Sequence, residues 1–148
     1  MSMLRIFDVA SSAISAQSQR LNVVASNLSN ADTVAGPDGA AYKARQVIFQ
    51  TALLGQPGQP GPPGMRSGSD ASVGVRVSTI AEDNTPGRRV HDPKHPSADA
   101  DGYVTYSNVN PVEEMVNMIS ASRSYQNSVE VMNTARTLLQ KTLQMGQG

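Results

Sequence analysis

The last stretch of the chain, from Pro111 to about Met145, has the hydrophobic pattern of a long helix. It contains no further proline, and the next glycine is Gly146. Proline is favoured at the first helical position, where an N–H would have no partner. Spacings of three and four residues alternate along one stripe, as in the seam of a coiled coil. That stripe consists of Met115, Met118, Ser122, Tyr125, Val129, Met132, Arg136, Leu139 and Leu143. The pattern predicts a helix roughly 50 Å long.

The first stretch, from Met3 to Leu28, carries a matching pattern and is also free of proline and glycine. Its stripe consists of Phe7, Ala10, Ile14, Gln17, Leu21, Val24 and Leu28. A column of small residues accompanies each stripe and is expected to mark the closest helix contacts. These columns are Ser11, Ser18 and Ala25 in the first stretch, and Ala121, Ser128, Ala135 and Thr142 in the last. Three arrangements fit: a parallel or antiparallel pair, a bundle with neighbouring copies, or two amphipathic helices packed on a globular middle.

The middle of the chain has short segments typical of strands. Alternation over 42–49, with Val47 and Phe49 on one face, and the valine-rich run 73–80 predict two strands. Residues 88–91 are expected to extend this pairing, and 103–106 to form a last short strand. The run GQPGQPGPPG within 55–70 predicts a flexible, solvated loop. The prediction is an α+β chain with an N-terminal helix at 1–30, a β-rich middle at 31–110 and a C-terminal helix at 111–148.

Composition limits the function. The 148 residues include twelve basic and twelve acidic side chains, so the formal net charge is zero. This balance argues against a nucleic-acid partner bound through phosphates and against a basic membrane-surface role. There is no cysteine, and no apolar run approaches the ~20 residues that a membrane helix needs. No cleaved secretory signal is expected, because a basic region followed by an apolar core is not evident.

Catalytic and metal-binding motifs are weak. His91 and His95 lie near several aspartates, but their spacing matches no zinc pattern, and Pro93 prevents a helix that would align them. A glycine-rich phosphate loop after a strand and a GxSxG nucleophile motif are both lacking in the sequence. We therefore expect no enzyme activity, no cofactor, no metal and no small-molecule substrate. A metal-dependent enzyme around the two histidines remains an alternative.

Several runs resemble a known family. Residues 21–36, LNVVASNLSNADTVAG, resemble the N-terminal signature of flagellar axial proteins of the rod and hook, in which a helix ends in an Asn-rich turn. The runs VGVRV at 73–77, HDPKHP at 91–96 and NVNPVEEMV at 108–116 resemble the proximal-rod members of that family, and ISASRSY at 119–125 continues the match. The terminal signals are common to the family, whereas the middle runs distinguish the proximal rod.

The resemblance implies a structural function. Such proteins stack helically into the rod that crosses the periplasm and joins the motor to the hook. It further implies export by the flagellar type III apparatus without a cleaved signal, and partners among copies of itself, other proximal and distal rod proteins, and the adaptor between rod and export gate. Two alternatives stay open: another rod or hook-base protein, and a soluble coiled-coil adaptor that forms discrete dimers.

The expected assembly interface follows the two helical stripes. Its predicted residues are Phe7, Ile14, Leu21, Val24, Leu28, Met115, Met118, Ala121, Tyr125, Val129, Met132, Ala135, Leu139 and Leu143. A lone two-helix pair is marginally stable because few large side chains are buried against the entropy of ordering the backbone. We therefore hypothesise that the terminal helices are partly disordered in the free subunit and become ordered when neighbours cover them.

Overall fold

A computed structural model describes residues 3–54 and 72–147 of the chain. The elements are α1 (Met3–Ser29), β1 (Arg45–Leu54), β2 (Ser72–Glu82), β3 (Arg89–His91), β4 (Tyr103–Thr105) and α2 (Pro111–Met145). This order confirms the prediction of two terminal helices around a small β-rich middle. The predicted Gly/Pro-rich loop at 55–70 lies outside the described residues.

The start of α2 is fixed by the sequence Asn110-Pro111. The side-chain oxygen of Asn110 accepts a hydrogen bond from the N–H of Val112 at 3.1 Å, which satisfies one of the free donors of the first turn. Pro111 occupies the first helical position, and Glu113 lies exposed in the first turn, where the helix dipole favours negative charge. At the C-terminal end of the helix, the N–H of Gly146 donates to the carbonyl of Thr142 at 3.0 Å.

The two helices form an antiparallel pair. Arg20, towards the end of α1, donates to the side-chain oxygen of Asn117, near the start of α2, at 3.3 Å. Ala121 and Ala135 are buried, with 0 % and 3 % of their surfaces exposed, so these two members of the small column of α2 contact the rest of the chain, whereas Thr142 is exposed. Alanine at such positions lets two helix backbones approach closely.

The small column of α1 lies elsewhere. Ser11, Ser18 and Ala25 are exposed, so they make no close contact within one chain, and their contact with other copies stays a prediction. The buried small residues of α1 are instead Ala10 and Ala16. This exposed column of α1 thus carries only short side chains, two of which are serine hydroxyls.

The strands β1 and β2 form an antiparallel hairpin that packs on α1. The register shifts between Ile48 and Phe49, which is a β-bulge, so the strand twists locally more than a regular one. The hydroxyl of Ser12 accepts the N–H of Val75 at 3.2 Å and donates to the carbonyl of Val9 at 2.7 Å. The hairpin is thus attached directly to α1.

Strands β3 and β4 form a separate two-stranded sheet. The prediction that residues 88–91 extend the first pairing is wrong, because Arg89–His91 pairs with Tyr103–Thr105. An isolated bridge between Val34 and Tyr106 continues this sheet toward the end of α1. Val104 is 1 % exposed and forms its buried centre.

The close approach at Gly87 predicts a sensitive position next to this second sheet. A Cβ at Gly87 would collide with the backbone carbonyl oxygen of Tyr106, and backbone cannot move aside as a flexible side chain can. We expect Gly87→Ala to lower the free energy of unfolding by about 2 kcal/mol, measured by urea denaturation. Gly36→Ala is the matched control, because its Cβ would meet only the movable side chain of Asp38. Equal stability of the two variants would contradict the prediction.

Candidate assembly surface

A network of amide and hydroxyl groups joins the helix ends to the β-rich middle. Asn27 is fully buried in the last turns of α1. Its side-chain oxygen accepts from the N–H of Arg45 at 2.9 Å, and its amide donates to the carbonyl of the same residue at 2.7 Å. Tyr42 donates its hydroxyl to the Asn27 oxygen at 3.0 Å. The side chain thus pairs with the first residue of β1 as a neighbouring strand would.

Asn108 performs the same function at the start of α2. Its oxygen accepts from the N–H of Ala44 at 2.7 Å, and its amide donates to the carbonyls of Asp83 and Thr85 at 2.9 and 3.0 Å. The adjacent Ser107 is buried and donates to the carbonyl of Ala31 at 2.7 Å. We call Asn27, Tyr42, Arg45, Ser107 and Asn108 the polar junction.

The polar junction gives the sequence signatures a physical meaning. The resemblance places Asn27 near an Asn-rich turn, whereas in the structure it lies within α1 with its side chain buried. The roles of the Ser107 and Asn108 side chains are not evident from the sequence pattern. The signal that could have found them is a polar residue at a position where a helix begins or ends. Burial raises the pKa of the Tyr42 hydroxyl, the group that donates to Asn27.

The predicted interface residues occupy different environments. In α1, Val24 is buried, and Phe7, Ile14, Leu21 and Leu28 are partly buried. In α2, Ala121 and Ala135 are buried, whereas Met118, Tyr125, Val129, Met132 and Leu139 are partly buried. Met115 and Leu143, near the two ends of α2, are exposed. Most of the stripe is therefore engaged within the chain, and whether it also contacts other subunits stays a prediction.

The outer surface of α2 carries apolar side chains that the described residues leave exposed. Val112, Val116 and Ile119 have between 61 % and 69 % of their surfaces exposed, and Met115 lies beside them. Their spacing puts Val112, Val116 and Ile119 on one face of the helix. Neither described helix is long and apolar enough to cross a membrane. An apolar helix face of this kind is typical of a protein–protein contact.

A cleft lies between α1, β1 and the start of α2. It has a volume of about 410 Å³ and includes Arg20, Val47, Phe49, Glu114 and Asn117 in its walls. Glu114 lies in the first turn of α2 and is 92 % buried, since 8 % of its surface is exposed. The reason is that the first turn of α2 packs against the end of α1, so only one of its two glutamates faces water.

The loop between β3 and β4 is held by local hydrogen bonds. The carboxylate of Asp99 accepts the N–H groups of Tyr103 and Asp101 at 2.8 and 3.0 Å and pairs with Arg89 at 2.7 Å. The bond from the Tyr103 N–H is the main cause that lowers the pKa of Asp99. Within residues 3–54 and 72–147 no group of three or more His, Cys, Asp or Glu side chains is arranged to hold a metal ion.

Two known family models match the ends of the chain. Residues 7–37 match the family model described as flagella basal body rod protein, and residues 100–145 match the C-terminal model of flagellar basal body rod FlgEFG proteins. The first match covers most of α1 and part of the polar junction, and the second covers β4 and α2. The sequence is thus similar to rod proteins at both helical ends.

Relatives that match along the full chain identify the family more narrowly than the two family models do. A protein from Yersinia enterocolitica named flagellar basal-body rod protein FlgC is 56 % identical, covering 99 % of this chain and 100 % of that protein. Proteins of the same name from Escherichia coli O157:H7 and Bacillus subtilis are 51 % and 38 % identical, covering 99 % and 94 % of this chain. The chain is a flagellar basal-body rod protein, and within that class it belongs to the FlgC family.

Proposed function

We propose that this chain is a structural subunit of the flagellar basal-body rod and that it assembles through its terminal helices. The observation that carries the proposal is the antiparallel helix pair with an apolar outer face on α2, in a chain that belongs to the FlgC family along its length. In the assembled rod, coiled-coil-like contacts with copies of this chain and with other rod proteins cover that face. The rod transmits torque across the periplasm, and the subunit has no catalytic function.

Delivery to the rod follows from the same proposal. The subunit is exported by the flagellar type III apparatus without a cleaved signal, and it contacts proximal and distal rod proteins and the adaptor at the export gate. The three predicted segments, 1–30, 31–110 and 111–148, act as two assembly helices and a β-rich connector between them. The absence of cysteine suits passage as an unfolded chain, because no disulfide needs to be broken.

Complementation tests the proposed function. In cells that lack their own rod protein of this family, the full chain is expected to restore swimming and to be present in purified basal bodies. A chain without residues 111–148 is expected to restore neither, because the outer face of α2 is removed. Swimming at the normal rate with the shortened chain, or absence of the full chain from basal bodies of swimming cells, contradicts the proposal.

The exposed apolar face also predicts incomplete helix formation in the free subunit. The structure has 27 helical residues in α1 and 35 in α2. We expect circular dichroism of the dilute monomer to report fewer helical residues than these, because the apolar face of α2 has no partner to stabilise it. Helicity should rise on assembly. A dilute monomer with full helicity refutes this expectation but leaves the rod function intact.

A further inference from the structure

The cleft between α1, β1 and α2 contains a carboxylate oxygen without a partner. Oε2 of Glu114 is shielded from solvent and has no hydrogen bond within the described part of the chain. The bonds of the two guanidinium groups in the cleft wall go to other residues: Arg20 donates to Asn117 at 3.3 Å, and Arg45 pairs with Glu82 at 3.3 Å. A buried carboxylate oxygen that lacks a donor is costly, so the site favours an incoming group that supplies one.

The chemistry of the cleft selects the kind of group that fits. Glu114 requires a donor, whereas the nearby guanidinium groups of Arg20 and Arg45 repel a cation and favour an acceptor. A primary amide offers both, since its nitrogen donates and its oxygen accepts. Val47 and Phe49 add an apolar wall beside these charges. The complementary surface is thus an amide next to an aliphatic side chain.

The C-terminal end of α2 carries amide side chains next to an aliphatic one. Counted from the Arg20–Asn117 contact, α1 runs 17 residues back to Met3, and α2 runs 28 residues forward to Met145. Because the two helices are antiparallel, α2 projects about 16 Å beyond the described start of α1. We call residues 136–145 the C-terminal overhang. Residues 140–147 are all exposed. Gln140, Leu143 and Gln144 lie on one helix face because they are three and four residues apart.

We propose that the C-terminal overhang of a second copy docks in this cleft, with the face formed by Gln140, Leu143 and Gln144 directed inward. Amide nitrogen donates to Glu114 and Leu143 covers Val47 and Phe49. An open-ended assembly requires contacts between two different surfaces of the same chain, and the overhang and the cleft are such a pair at opposite ends of α2. The inference rests on the proposed rod function and specifies one contact within it.

Cysteine cross-linking tests this contact, and the cysteine-free chain makes the test specific. In one chain, residues 117 and 144 are separated by about 40 Å along α2, so a disulfide between them joins two copies. We expect Asn117→Cys with Gln144→Cys to give disulfide-linked dimers in oxidised basal bodies. Asn117→Cys with Thr142→Cys is the control, because Thr142 lies on the opposite face of the overhang and should give none.

A charge test keeps the inference falsifiable if the cysteine variants assemble poorly. Gln144→Glu puts a second carboxylate against Glu114, and we expect about a tenfold loss of the chain from basal bodies, equivalent to about 1.4 kcal/mol. Adding Glu114→Gln should restore incorporation, and Thr142→Glu should leave it unchanged. Normal incorporation of Gln144→Glu, or incorporated cysteine pairs without cross-links, overturns the inference. Absence of the unmodified chain from basal bodies overturns the proposed function itself.

Discussion

Replacing Asn27 with alanine is expected to lower the free energy of unfolding by about 3 kcal/mol. The change leaves the N–H and the carbonyl of Arg45 without their partners and removes the acceptor of the Tyr42 hydroxyl. Each buried polar group left unsatisfied costs roughly 1–3 kcal/mol, and water recovers part of this at the edge of the strand. Urea denaturation of the purified monomer, with an unchanged dependence on denaturant, measures the effect.

Asn22→Ala is the matched control for this prediction. Asn22 lies on the same helix but is exposed, so its replacement is expected to change the stability by less than about 0.5 kcal/mol. If the two variants were equally stable, the side chain of Asn27 would not hold β1 against α1. Because β1 begins at the residue that Asn27 binds, we also expect the Asn27 variant to lose the attachment of the hairpin before the helix pair.

The sequence predicted the helices well because their signals are local. Pro111 and the spacing of apolar residues mark α2 without reference to the rest of the chain, and the structure begins that helix at the predicted residue. Strand positions were less accurate: β1 was predicted at 42–49 and lies at Arg45–Leu54. Residues 42–44 have strand-like neighbours, but Asn27 and Asn108 bind the backbone there and fix where pairing begins.

The burial of individual side chains was harder to predict, because it depends on how the helices are rotated against each other. The small columns of the two helices look alike in sequence, yet one is buried at Ala121 and the other is exposed at Ala25. Likewise, Glu113 and Glu114 are chemically identical neighbours, and only the rotation of α2 on α1 decides which is buried. The cleft and its unpaired carboxylate oxygen follow from that rotation, so no local pattern indicates them.

The largest effect on assembly is expected from Ala121→Leu. Ala121 has no exposed surface, so a leucine side chain must push α1 and α2 apart or adopt a strained rotamer. We expect the free energy of unfolding to fall by about 2–3 kcal/mol and the chain to be lost from basal bodies, while export continues because it requires no folded helix pair. Swimming assays, basal-body purification and detection of the exported chain measure the three effects.

Ala25→Leu makes the same substitution on the exposed face of α1 and separates two causes of failure. Its monomer stability should remain within about 0.5 kcal/mol of the unmodified chain, because the side chain points into solvent. If Ala25→Leu is nevertheless lost from basal bodies, the outward column of α1 contacts a neighbouring subunit, and its short side chains are required there. If it assembles normally while Ala121→Leu does not, the helix pair within one subunit sets the geometry of the assembly surface. The close contact at Ala121 is expected to hold the outer face of α2 in the position that assembly requires. Normal swimming with Ala121→Leu would therefore contradict the prediction that the helix pair sets the geometry of the assembly surface.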